Sequence, residues 1–205
     1  LEESIRNSPI RGSFGIGHTR WATHGRPTEL NAHPHRDCKG EIVVVHNGIV
    51  ENYLQLKLTL ESEGHVIKTE TDTEVIAHLI EKYFLGNIEE AVARALKEIT
   101  GVFALAVVSQ ADPDKIVAAR SGPPVVIGIG EGEYFIASDV PPILSHTRDV
   151  FFLNDGDMAI LTPRGVMLSD FDGHPVSRKV TRVQWDPIMA EKGGYKHFML
   201  KEIYE

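Results

Sequence analysis

Apolar positions along the chain change rhythm near Gly101: strand-like and helix-like stretches alternate before it, and short strand-like stretches succeed one another after it. Ser13 to Trp21 and Glu41 to Val50 read as strands, the second with the unbroken valine run of a strand buried on both faces. Leu54, Leu56, Leu58 and Leu60 alternate as in a strand, but the Leu, Lys, Gln and Glu around them favour helix, so Glu51 to Glu63 is predicted helical. His65 to Thr69 follows as a short predicted strand. Thr71 and Glu74 make a capping box ahead of a predicted helix from Val75 to Phe84, and a second helix from Ile88 to Ile99 is ended by Gly101. These two helices are expected on one face of a sheet.

Beyond Gly101 the predicted strands are Val102 to Ser109, Lys115 to Arg120, Val125 to Ile129, Tyr134 to Ala137, Phe151 to Leu153 and Met158 to Leu161, each bounded by Gly, Pro, Asp or Asn. Tight turns between short strands imply antiparallel pairing. Two antiparallel sheets whose outer faces are shielded by helices give an α+β fold. The run Gly128-Ile129-Gly130-Glu131-Gly132 superficially resembles a phosphate loop. It joins two strands, has acidic neighbours and lacks a following helix and lysine, so it reads as a β-turn.

Composition narrows the classes of function. With 205 residues, 42% of them hydrophobic, the chain can bury one sizeable core and reads as one domain. A net charge of -8 argues against a nucleic-acid surface. No run of about 18 apolar residues suggests a membrane span, and no charged-then-apolar leader suggests secretion. A single cysteine, Cys38, allows no disulfide framework. The expectation is a cytoplasmic protein without nucleic-acid or membrane partners.

Candidate chemistry concentrates in the run His18-Thr19-Arg20-Trp21-Ala22-Thr23-His24-Gly25, where an arginine, a tryptophan, two histidines and two hydroxyls stand together. An arginine fork can grip a carboxylate through two parallel hydrogen bonds, and Trp21 could cover a small ligand. Downstream stand Asn31-Ala32-His33-Pro34-His35, Val43-Val44-Val45-His46-Asn47-Gly48 and Thr69-Glu70-Thr71-Asp72-Thr73-Glu74. In this order and spacing the four segments resemble the glutaminase (type 2 glutamine amidotransferase) domain of the glucosamine-6-phosphate synthase family. Related amidotransferases such as amidophosphoribosyltransferase and asparagine synthetase carry the arginine and an Asn-Gly pair in other surroundings. The tail from Tyr195 to Glu205 is similar to the segment that leaves this domain towards a sugar-phosphate isomerase domain. The resemblance therefore implies an amidotransferase domain over 1–194 and the start of a linker over 195–205.

That resemblance implies an N-terminal-nucleophile fold, a four-layer α/β/β/α sandwich of antiparallel sheets whose first strand is missing from this chain. The family's nucleophile is an N-terminal cysteine, and residue 1 here is Leu1; the omitted segment is expected to exist ahead of it. Cys38, in a polar turn, is not expected to replace that nucleophile, which needs a lowered pKa and an adjacent base. By resemblance Arg20 clamps the α-carboxylate of L-glutamine, Asp72 faces its ammonium group, and Trp21 and Thr23 lie on a loop that closes over it. His24 and His33 match positions that line or support the pocket, while His35 and His46 are weaker candidates. Asn47 and Gly48 are placed as the oxyanion hole, with a type I′ hairpin as the alternative. Asp72 at a helix start has a purely structural alternative through the helix dipole.

Competing readings come from other classes. His24, His33, His35 and Cys38 carry zinc-binding atoms, but their spacing fits no common zinc pattern, so no metal is expected. A non-catalytic glutamine-binding module is the third reading. The family implies no dissociable cofactor, a homo-oligomer when intact, and ammonia passed to fructose 6-phosphate on a C-terminal isomerase domain.

Overall fold

The computed structural model describes residues 2–8, 12–184 and 198–204. In chain order its elements are helix α1 (Glu2–Asn7), strands β1 (His35–Arg36) and β2 (Ile42–Val50), and helices α2 (Tyr53–Ser62), α3 (Thr73–Tyr83) and α4 (Ile88–Leu96). Strands β3 (Gly101–Ser109), β4 (Ile116–Ser121), β5 (Val126–Ile129) and β6 (Tyr134–Ala137) follow, then a 3-10 turn at Pro141–Ile143. The chain continues through β7 (Asp149–Phe152), β8 (Asp157–Thr162), β9 (Gly165–Asp170), β10 (Thr181–Arg182) and helix α5 (Phe198–Tyr204). A six-stranded sheet has the order β1-β2-β3-β4-β8-β9, and a four-stranded sheet has the order β10-β7-β5-β6. Every pairing is antiparallel.

Strand periodicity sorts the side chains into layers. On β3, Phe103, Leu105 and Val107 join the core beneath the helices, while Ala104 turns to the core between the sheets. The same division separates Val117 and Ala119 from Ala118, and Met158 and Ile160 from Ala159 and Leu161. Opposite them, Ile127, Phe151 and Leu153 complete the inter-sheet core. Helices α2, α3 and α4 cover the outer face of the larger sheet. Among the described residues, Val140, Ile143, Leu144 and Val183 cover the outer side of the smaller one, against Val126 and Val150. No helix among the described residues is long and apolar enough to cross a membrane.

Within α2 the leucines settle the competition between helix and strand: Leu56 and Leu60, four apart, are buried, and Leu54 and Leu58 are exposed. Two expected strands, 13–21 and 65–69, do not form. In 13–21 the Arg20 N–H goes to the His18 ring and Arg20 itself is left-handed, which breaks the extended repeat. In 65–69 the amides of Val66, Lys68 and Thr69 donate to the Cys38 sulfur and the Glu74 carboxylate. In 65–69 side chains thus take three amides that a strand partner would have bonded. The capping box is only half formed, since Thr71 Oγ1 accepts the Glu74 N–H while the Glu74 carboxylate reaches back to 68 and 69. Strand β9, unforeseen, extends the sheet edge beside β8. Of the expected linker, 198–204 form α5; the boundary at 194 lies outside the described residues.

Candidate active site

The end of β2 meets the start of α3, and the cleft between them gathers the sequence's candidates. Asn47 and Gly48 lie inside β2, opposite Ala104 and Phe103 of β3, so the pair is no hairpin turn. Gly48 has φ +136°, and a Cβ there would overlap the Val102 carbonyl oxygen and stand 2.8 Å from its carbon. Glycine is the residue this close approach accepts. His18 sets the neighbouring amide: its Nδ1 accepts the Arg20 N–H at 2.8 Å, so Nε2 carries the proton and donates to Asn47 Oδ1 at 2.6 Å. That fixes the amide's orientation and turns its two Nδ2 donors away from His18.

Asp72 forms the facing wall. Buried to 3% exposure, it accepts the Val50 N–H on Oδ2 at 2.8 Å and holds Oδ1 4.0 Å from His24 Nδ1. It makes no side-chain capping bond, although it stands at the N-cap of α3. Its carboxylate therefore serves β2 and the cleft rather than the helix's own amides.

The turn from Arg20 to Arg26 is braced from both ends. Arg20 adopts φ +45°, a conformation uncommon outside glycine that costs about 1–3 kcal/mol. Its guanidinium donates to the carbonyls of His24 at 2.6 Å, Gly25 at 3.2 Å and Arg26 at 3.2 Å. These bonds use three of its five donors. From the other side, Asn31 Nδ2 donates to the Arg26 carbonyl and the Glu70 carboxylate, while the Glu70 N–H returns to Asn31 Oδ1. Trp21 and Thr23 project from this turn into solvent, Trp21 being 91% exposed.

Three further imidazoles line or back the cleft. Thr73 Oγ1 holds His46 Nδ1 at 3.0 Å and His33 Nε2 at 3.2 Å, and the His33 ring stacks on His18 at 4.3 Å. Burial holds His33 down to about 3, reinforced by the charges of His18, His35, His46 and Arg20. Burial likewise takes His46 to about 4, against the opposing pull of Asp72 and the Val102 carbonyl. His35 is lowered too, again by burial first. These rings are neutral near pH 7 and act as hydrogen-bonding groups, not as cations. Buried Nδ1 atoms of His24 and His33 lack hydrogen-bond partners, the mark of a site that takes a polar ligand.

One cleft of about 270 Å³ is lined by Arg20, Trp21, Thr23, His24, His33, Asn47, Gly48 and Asp72, so all eight candidates share it. His18, His46 and Thr73 line it as well. His18 was legible only as part of the motif; its two-residue offset from Arg20 was the available signal. Cys38 stands elsewhere, in the turn between β1 and β2, and among the described residues no thiol lines the cleft.

This fold and cleft define a class, and comparison with known proteins agrees. The chain belongs to the glutamine amidotransferase domain family, whose model matches residues 18–145. Its fold is the N-terminal-nucleophile α+β sandwich. Relatives named glutamine–fructose-6-phosphate aminotransferase (isomerizing) are 57% identical over 207 residues in Methanothermobacter thermautotrophicus and 52% identical over 205 residues in Aquifex aeolicus. Each alignment covers 100% of this chain and 35% of the relative. The chain thus spans about a third of the length of the curated relatives it matches. Among solved structures, the glutamine phosphoribosylpyrophosphate amidotransferase of B. subtilis superposes with a TM-score of 0.63 at 26% identity, covering 75% of this chain and 34% of that one.

Proposed function

We propose that the cleft binds L-glutamine and that the chain is the glutaminase half of a cytoplasmic glutamine–fructose-6-phosphate aminotransferase. It would release ammonia for transfer to fructose 6-phosphate on an isomerase domain beyond Glu205. The observation that carries this reading is the convergence of the eight residues on one cleft, with the Asn47 amide oriented by His18. The names of the relatives supply the acceptor sugar.

Glutamine presents a carboxylate, an ammonium group and a side-chain amide, and the cleft offers a complement to each. Asp72 is the anion for the ammonium. Arg20 shapes the turn and keeps two donors for the carboxylate. Closure of the turn would bring the exposed Trp21 and Thr23 onto the ligand.

The nucleophile is the thiol of an N-terminal cysteine ahead of Leu1. A second cavity of about 250 Å³ between the sheets shares His18, His46 and Asn47 with the cleft, and we place the nucleophile's segment there. The thiol adds to the amide carbon; Asn47 Nδ2 and the Gly48 backbone receive the developing oxyanion. Collapse expels ammonia and leaves a thioester, which water hydrolyses to glutamate and the free thiol.

The test is glutamate release by the full-length polypeptide, wild type against Asn47→Ala. Because oxyanion donors act in the transition state, kcat should fall about 100- to 1000-fold with KM little changed. Equal losses in kcat and affinity overturn the oxyanion assignment, and no glutamate release by the wild type overturns the function.

A further inference from the structure

Away from the cleft, four side chains from three segments turn to one point. Cys38 comes from the turn between β1 and β2, His65 from the connection after α2, and His78 and Glu81 from one face of α3. The Cys38 sulfur lies 3.7 Å from His65 Nδ1 and 3.5 Å from His78 Nδ1. Glu81 Oε2 lies 2.9 Å and 3.3 Å from the same two nitrogens. All four atoms fall within 4.8 Å of one another. A tetrahedral zinc ion, bonded at about 2.3 Å to sulfur and about 2.0–2.1 Å to nitrogen and oxygen, sets S···N edges of about 3.6 Å and N···O edges of about 3.3 Å. The two S···N and two N···O edges given above match these to within about 0.4 Å.

The far side of His78 gives a second, independent reason. This ring is 1% exposed, and its Nε2 makes no hydrogen bond but faces the Glu74 carboxylate at 3.6 Å. With Nε2 turned to that carboxylate, the ring presents Nδ1 to both the Cys38 sulfur and Glu81 Oε2, the orientation of a ligand nitrogen. The Glu74–His78 contact then matches the outer carboxylate that habitually orients a metal-bound histidine. Two amides complete the surroundings: Val66 N–H points to the Cys38 sulfur at 3.5 Å, and Cys38 N–H to Glu81 Oε2 at 3.2 Å.

We propose that Cys38, His65, His78 and Glu81 form a structural site for one zinc ion that staples the β1–β2 turn and the segment after α2 to helix α3. Four protein ligands leave no open position, so the ion braces rather than catalyses. Binding releases the Cys38 thiol proton to solvent. His78 and Glu81 stand six and nine residues beyond Asp72, about 9–14 Å along the chain of α3, so the staple fixes the helix that carries the cleft wall. Of the histidines and cysteine weighed as zinc ligands from sequence spacing, only Cys38 takes part.

The test strips the intact protein with a chelator and titrates it with Co2+, then with Zn2+. One equivalent of Co2+ should give the intense visible bands of a tetrahedral ion and a near-ultraviolet thiolate-to-cobalt band, both lost when Zn2+ displaces it. Zinc should raise the thermal midpoint. Cys38→Ser, at an exposed position, should lose the thiolate band and weaken zinc more than about 100-fold, beyond the cost of losing an outer carboxylate. His65→Ala, checked for an unchanged far-ultraviolet spectrum, should lose stoichiometric uptake. Failure of the wild type to take up one equivalent, or uptake unchanged in both variants, overturns the site.

Discussion

Replacing Gly48 with alanine asks whether the end of β2 must lie as close to β3 as the cleft requires. At φ +136° an L side chain is strained by about 1–3 kcal/mol. The new Cβ would overlap the Val102 carbonyl oxygen and stand 2.9 Å from Phe103 Cα, backbone atoms that cannot rotate aside. Relief requires β2 and β3 to part there, breaking about two ladder hydrogen bonds at about 0.5–1.5 kcal/mol each. The smaller entropy of the unfolded alanine chain offsets about 0.4–1 kcal/mol. The net loss is about 3 kcal/mol, a large share of the roughly 5–15 kcal/mol that holds a domain together. Gly101 is the reciprocal contact, since with φ +129° its Cβ would overlap the Ile49 carbonyl oxygen and lie 3.1 Å from Glu51 N. One parting of the strands relieves both, so the double alanine variant should cost less than the sum of the singles by at least about 0.5 kcal/mol. Urea unfolding at constant m-value measures all three, with Gly15→Ala, where a Cβ meets nothing within 4 Å, as the neutral control. A Gly48→Ala loss under about 1 kcal/mol, or strict additivity with Gly101→Ala, refutes the close-approach argument.

Two further outcomes follow from the cleft's charges. Burial takes His46 from 6.5 to about 4, so between those values the unfolded chain binds a proton that the folded chain refuses. The stabilisation is whole above about pH 6.5 and falls away towards pH 4, by about 3 kcal/mol. His46→Asn, which can keep a bond to Thr73, should flatten the acid loss when urea midpoints near pH 7 and 4.5 are compared; an equally steep loss counts against His46 as its source. Asp72→Asn keeps an acceptor for the Val50 N–H but removes the charge, so KM for glutamine should rise about 10- to 100-fold with little change in thermal midpoint. An unchanged KM would return Asp72 to a structural role.

Much of the layering was readable because burial imposes a period on neighbouring residues. The valine run identified β2, and the alternating Phe103, Ala104 and Leu105 belong to a strand with two buried faces; α2 was legible from helix propensity alone, against the strand-like period of its leucines. Sequence reading failed at 65–69 because it cannot see that the carboxylate of Glu74 and the sulfur of Cys38 take the backbone donors a strand would have used, and at the end of 13–21 because it cannot see the left-handed Arg20 whose N–H goes to the His18 ring. The candidate residues were legible as chemistry, since a run holding Arg20, Trp21 and His24 has few structural uses. Their arrangement was not. That His18 orients Asn47, that Arg20 spends donors on its own turn, and that Asp72 binds β2 all depend on contacts 29, 6 and 22 residues apart.

By itself, then, the order of residues determined which segments alternate or repeat, which faces are apolar and which side chains carry reactive groups, because these depend on neighbours within a turn or two. The tertiary structure alone decided which of those groups meet. Sheet register sets Asn47 against Ala104, and helix docking brings Asp72 to Val50 and His78 to Cys38. Such meetings are settled by the packing of whole elements, whose energy is summed over many contacts and written in no local stretch of the chain.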